Sequence, residues 1–445
     1  MDSAKGMTRQ LASLGSLRGG SIASKDWSRY LVALPLLGLC MVASHIMSIG
    51  PALSFAKAQL DSRNVVWNDG WRGVPILQNF YNIGGLDDIV SLANMFFMPA
   101  VYGYDSTSRT QVISFLSDGG VVLAIWWLES LRSGRKSLYL QYPSLLALTG
   151  QLIGLGVVAP LYAFLSLIAP SAASYSLPSS TTALLPALVL GFYTPTLLTL
   201  ASPDLADRQA FLSIWQLFPV WVSLAYHTIA ILSPTPKVDI SGISVRPPSS
   251  AVSTTSDSDS EPDSHASDPS TPSISLPKLY RDLLLMRISI GVPSILGAAA
   301  WVFTLFRTRG HIAEIFVPTG SPADGLPSLT AFSAQFLRWD WTFVFGAMVL
   351  WLGVVYARES AGDVTGERGM GYQYLPKALR GGSKATGWAA MATGAAATGL
   401  TLGPGALLGL GWWWREEVKV AELEKSLLKI EVQRKVDALL RANGA

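Results

Sequence analysis

The feature that most restricts this chain is a succession of apolar stretches. Each is about 20 residues long, the length a helix needs to cross a hydrocarbon layer roughly 30 Å thick. Eight of them fall near 30–49, 111–131, 144–168, 182–201, 210–232, 282–305, 330–356 and 386–412. Inside a bilayer the backbone must satisfy its own hydrogen bonds, so these stretches read as helices. The expected fold class is therefore all-α, a polytopic transmembrane bundle of about eight spans. Composition agrees, since half of the 445 residues are hydrophobic and only 14% are charged, where a soluble domain carries about a quarter.

The small net charge of +3 comes from basic residues scattered beside apolar runs. That pattern gives no extended basic face, so no nucleic-acid partner is expected. Cys40 is the single cysteine and lies inside an apolar run, and the histidines are only His45, His227, His265 and His311. No disulfide framework and no thiolate metal site can be built from that set, and so few histidines disfavour a multi-His centre. No metal and no cofactor are expected.

Between the apolar runs the chain divides into five parts. Residues 1–29 form a basic N-terminal segment, and 30–232 hold five spans. Within that half, 72–103 is apolar but interrupted by Gly84-Gly85, Asp87-Asp88 and Asn94, and reads as an interfacial or re-entrant piece. Residues 233–279 are dominated by Ser, Pro, Thr and Asp and read as a disordered linker, too poor in apolar side chains to offset the entropy of ordering. Three spans follow in 280–412, and 413–445 carries Val420, Leu423, Leu427 and Ile430 at helical spacing between charges, an amphipathic tail. Trp412, Trp413 and Trp414 mark the interface where the last span ends. Lys and Arg ahead of the first span and after the second favour a cytosolic N-terminus, and a basic head before a long apolar run reads as a signal anchor, with the endoplasmic reticulum as the expected membrane.

Ionisable groups at membrane depth are expensive, so each is a functional candidate. Asp118 and Glu129 lie in the second span, Arg287 in the sixth, and Arg338 and Asp340 in the seventh. Asp118 and Glu129 share a helix face ~16 Å apart along the axis and cannot share one proton. Glu129 precedes Arg132 by three residues, so a surface ion pair competes with a catalytic role there. Asp340 sits in Phe336-Leu337-Arg338-Trp339-Asp340-Trp341. An apolar setting favours the neutral acid, and a neutral acid among aromatic rings is a proton donor. The competing reading is an ion pair with Arg338 or Arg287, although Arg338 points to the opposite side of the same helix. Trp126, Trp215, Trp221, Trp339 and Trp341 are candidate lining residues, because an indole face stabilises a nearby cation. Aspartate-rich diphosphate motifs, the P-loop, H-E-x-x-H and G-x-S-x-G are all absent, which disfavours diphosphate ionisation, ATP hydrolysis and serine hydrolysis.

The span count, this polar pattern and the FLRWDW segment resemble the integral-membrane terpene cyclases of fungal meroterpenoid pathways. Those enzymes also lack aspartate-rich motifs and place one acid on an early helix and another on a late one. Here Glu129 or Asp118 and Asp340 would fill the two places. The resemblance implies metal-independent cyclisation of a farnesylated aromatic or quinol, begun by protonating a terminal epoxide or olefin. The partner would then be a lipophilic prenylated small molecule that reaches the protein through membrane lipid. A small-molecule transporter or a non-catalytic membrane protein is the competing class, and no internal repeat of the transporter kind is found between 30–232 and 282–412.

Overall fold

The computed structural model describes residues 19–65, 74–103, 105–132, 138–169, 181–233, 276–309, 311–324, 326, 328–361 and 384–442. Most of the expected linker 233–279, and residues 1–18 of the expected N-terminal segment, lie outside them. Helices dominate, and the extended structure among the described residues is one antiparallel ladder of two-residue strands, β1 (Asn64–Val65) and β2 (Val74–Pro75).

The helices run α1 (Gly19–Ile46), α2 (Gly50–Ser62), α3 (Gly84–Tyr102), α4 (Ser106–Ser130), α5 (Leu138–Gln141), α6 (Pro143–Ile153), α7 (Leu155–Ile168), α8 (Leu184–Leu188), α9 (Thr194–Ala201), α10 (Leu205–Gln216), α11 (Phe218–Leu232), α12 (Leu276–Thr308), α13 (Ile312–Phe316), α14 (Leu329–Ala361) and α15 (Lys384–Ala442). Five helical stretches are long and apolar enough to cross a membrane: Arg29–Ile46, Ser106–Ser130, Thr181–Ala201, Tyr280–Thr308 and Leu329–Arg358. A sixth span results if α10 and α11, bent by 64°, are counted as one. Large apolar side chains on the outside of these helices, Leu31 and Met41 on α1 and Ile295 and Phe306 on α12 among them, face outward as lipid-exposed surfaces do. This is a membrane protein.

Three of the eight expected spans take another form. One of them, 210–232, falls in the bent pair α10 and α11. The stretch 144–168 is cut into α6 and α7 at Gly154, whose φ of 94° is accessible to glycine and strained for any other residue. The stretch 386–412 is part of α15, which bends at Gly403 (φ 89°) just ahead of Pro404 and continues without interruption into the expected tail. The segment 72–103 contributes α3, a 19-residue helix. Its start is fixed by Asp87, whose carboxylate accepts the Tyr81 and Ile83 amides at 2.7 and 2.8 Å.

α4 is the axis of the bundle. Asp105 caps its N-terminus by accepting the Thr107 and Ser108 amides, and 19 of its 25 residues are buried inside the protein. α12 and α15 pack on one side of it, α3 and α14 on another, and α7 lies between α1 and α14. One continuous apolar core reaches from Ala33 to Val420, so the parts before and after the linker fold around a common centre.

Candidate active site

The break at Gly154 creates a place where backbone polarity is available inside an apolar bundle. The first N–H groups of a helix have no intrahelical partner, and α7 begins one residue after the break. The Gly156 N–H donates to Oδ1 of Asp340, which enters from α14. Asp340 is 4% exposed, and the positive end of α7 faces its carboxyl group. Close approach depends on the two glycines. A Cβ on Gly156 would lie 3.0 Å from Asp340 Cα and from Met47 Sδ, and one on Gly154 would lie 2.6 Å from Met47 Cε and 3.1 Å from Phe336 Cζ.

Asp340 opens onto a cavity of about 210 Å³ walled by α3, α4, α6, α7, α10, α11 and α14. Phe96, Phe97, Phe115, Phe192, Trp215 and Phe218 give it an aromatic surface, and Gln151 and Asp340 are its polar side chains apart from the indole N–H. That indole is fixed, since Trp215 Nε1 donates to Thr196 Oγ1 at 3.0 Å. The rings brace one another edge to face: the Phe97 centroid lies 5.2 Å from Trp215, and Phe192 lies 5.0 Å from Phe218. Phe192 is presented by a five-residue π-helical turn, Val189–Tyr193, an irregularity that recurs at functional sites.

The structure separates the expected residues. Asp340 and Trp215 line the cavity; Asp118, Glu129, Trp126, Trp221, Trp339 and Trp341 do not. Asp118 is fully buried on another face of α4, against α12 and α15, where a Cβ on Gly297 would come within 2.7 Å of its Oδ1. The Gly405 backbone lies beside it, yet neither carboxylate oxygen has a donor at bonding geometry among the described residues.

Glu129 is also interior rather than at the surface. Its Oε1 accepts Trp412 Nε1 and Arg415 Nη1, each at 2.9 Å, and its Oε2 lies 3.2 Å from Arg132 Nε. Arg132 reaches on to Glu416 at 2.7 Å, closing a buried network of two carboxylates and two guanidiniums. Burial works against the charge of Glu416, but Arg132 and Arg415 outweigh it and hold the carboxyl below the usual glutamate range. The Arg287 partnership once open to Asp340 goes to Glu417, at 2.6 and 2.7 Å.

Four of the five tryptophans have structural duties. Trp126 packs on Tyr162, Trp221 donates to the Ile214 carbonyl and Trp339 to that of Gly320, and Trp341 stacks on Trp301. Trp339 and Trp341 flank Asp340 in sequence, but successive helix residues point about 100° apart, so their rings leave the acid's surroundings to Met47 and Phe336. Sequence reasoning missed Gly154 and Gly156. Their signal was a Gly-x-x-x-Gly-x-Gly spacing (Gly150, Gly154, Gly156) inside one apolar run.

A buried carboxyl group held by one amide N–H and bordering an aromatic cavity defines the class at the level the geometry allows: a helical membrane protein with one acid at an apolar internal pocket. The CtvD domain matches residues 32–420, and the chain belongs to that family. It is 27% identical over 418 residues to the FAD-dependent monooxygenase verC1 of Penicillium polonicum, covering 91% of this chain and 44% of that protein. It is 26% identical over 420 residues to the FAD-dependent monooxygenase anuJ of Penicillium roqueforti, covering 90% of this chain and 42% of that protein. The chain thus spans less than half the length of these relatives. It is 30% identical over 159 residues to the terpene cyclase ascI of Acremonium egyptiacum, which covers 33% of this chain and 41% of that protein. No solved structure matches the chain.

The flavin in two of those names does not fit the residues described. A dinucleotide fingerprint needs a strand before its glycine turn, whereas the G-x-G-x-x-A pattern at Gly154–Ala159 joins two helices and its first amides face Asp340. Among the described residues no three His, Cys, Asp or Glu side chains assemble as a metal-ligand set.

Proposed function

We propose that this protein is a membrane-bound terpene cyclase of fungal meroterpenoid biosynthesis, acting in the endoplasmic reticulum on a farnesylated aromatic or quinol. Asp340 is the general acid. The observation that carries the reading is that, among the described residues, Asp340 is the one ionisable side chain on the wall of a cavity that is aromatic and aliphatic apart from Gln151. Its proton goes to the terminal epoxide oxygen or olefin carbon, and the resulting cation is passed along the polyene. Ring faces from Phe96, Phe97, Phe115, Phe192 and Trp215 stabilise that cation without offering a nucleophile that would quench it.

Family membership and the similarity to terpene cyclase ascI support cyclisation as the reaction class. Similarity over most of the chain to two proteins named FAD-dependent monooxygenases supports the epoxide as the initiating group. Flavin chemistry with oxygen can install an epoxide, and the matched segment recurs within those longer chains. The acid role falls to Asp340 alone, because Asp118 and Glu129 have no access to the chamber.

The test is product analysis from microsomes holding the protein, incubated with a farnesylated quinol and with its terminal epoxide, beside Asp340→Asn. A cyclised product that disappears in the variant supports the proposal. Both substrates returned unchanged by folded, inserted protein would remove it.

A further inference from the structure

Besides Asp340, the cavity wall carries one side-chain amide, that of Gln151, in the last turn of α6. The amide makes no hydrogen bond to the protein among the described residues, although an amide has two donors and an acceptor to satisfy. Three polar side chains of α3 and α10 are engaged: Asn94 with Ser213 at 2.9 Å, Gln216 with Asn94 at 3.2 Å, and Gln209 with the Pro75 carbonyl at 2.7 Å. Gln151 differs from them in belonging to the cavity wall.

Its position relative to the acid follows from the helix. Gln151 precedes Gly154 by three residues, about 4.5 Å of helical rise, and a Cβ on Gly154 would sit 3.2 Å from Asp340 Oδ1. Gln151 and Asp340 therefore lie at the same end of the cavity. An olefin at that end would leave the amide donors without a partner, at the cost of an unmade hydrogen bond. An oxygen there accepts from both groups.

We infer that Gln151 is a catalytic and specificity-determining residue: its amide N–H donates to the epoxide oxygen while Asp340 protonates that same oxygen. The inference rests on the cyclase reading above. The Asp340 O–H proton moves to the epoxide oxygen, and the bond from that oxygen to the tertiary carbon breaks with its electron pair passing to oxygen. The new hydroxyl stays hydrogen-bonded to Gln151. The tertiary cation takes the π pair of the next double bond, and the last cation in the series releases a proton to the Asp340 carboxylate or to water, so substrate and product are isomers. The Gln151 donor strengthens as negative charge gathers on the departing oxygen, which makes it a transition-state interaction and also a selector against the unoxidised olefin.

The experiment uses the full chain in lipid nanodiscs. In the Asp340→Asn background, where the epoxide persists, competition binding compares the farnesylated quinol epoxide with its parent olefin. Gln151→Met keeps the length and flexibility of the side chain and removes the donor. Its preference for the epoxide is expected to fall about 10-fold, and with Asp340 intact its kcat/KM on the epoxide is expected to fall about 10- to 100-fold. Gln151→Leu, also without a donor, serves if the methionine variant is poorly inserted. An unchanged preference and an unchanged kcat/KM in an inserted donor-free variant overturn the role of Gln151. Cyclisation that survives Asp340→Asn alone overturns the cyclase assignment of Asp340 instead, and the two failures are separable.

Discussion

The two sides of α4 hold acids under opposite regimes. On the side of Phe115, Gly119 and Leu123 the helix borders the cavity, where Asp340 meets one amide and open space. Toward α12 and α15 it carries Asp118 and Glu129, the first sealed by glycine-tight packing and the second saturated by Trp412, Arg132 and Arg415. Burial alone therefore does not mark a working carboxyl group in this bundle. What separates the sites is whether a guest can reach the acid, and whether its hydrogen-bonding capacity is already spent on protein.

The sharpest contrast is expected from Asp340→Asn, which keeps size and loses the proton. Product formation should fall about 10²- to 10⁴-fold, the usual contribution of a positioned acid, with thermal stability nearly unchanged; both are read on one nanodisc preparation. Glu129→Gln should do the reverse. Removing one charge from a buried network costs about 3–5 kcal/mol, visible as a lower unfolding midpoint, while turnover per folded molecule stays within twofold. A Glu129→Gln protein that is stable but inactive would break the comparison.

Two glycines refine it. Gly156→Ala drives a methyl group against Asp340 and should lower kcat about 10- to 100-fold by displacing the acid. Gly405→Ala drives one against Asp118 and should cost about 1–3 kcal/mol of stability through overpacking, with kcat retained by the protein that folds. The smallest effect is expected from Asp118→Asn: less than threefold in turnover and about 1 kcal/mol or less in stability, since the group has no ionic partner to lose. Turnover abolished as in Asp340→Asn would bring Asp118 back as a working group.

Much of this architecture could be read from the chain. Five long apolar runs became long helices, and Asp340 stood out because a lone carboxylate within such a run has few structural excuses. The obscure parts were those set by direction or by distance along the chain. A run of apolar letters does not reveal that Gly154 takes a positive φ and divides it, because glycine is common throughout these helices. Neighbours in sequence diverge around a helix, so the indoles beside Asp340 misled, while Phe96, Phe97 and Gln151 converge from α3 and α6. Glu129 looked like half of a local pair with Arg132 because its other partners lie 283 and 286 positions away.

That separation bears on how the protein is made. Domains and helices emerge from the ribosome in order, so α4 enters the bilayer with Glu129 and Arg132 at its end long before Trp412, Arg415 and Glu416 have been translated. Until then the pair has water and headgroups for company. The arrival of α15 removes them from solvent, completes the charge balance and closes the flank of α4 away from the chamber, so residues synthesised long after α4 decide when the earlier helices can no longer rearrange.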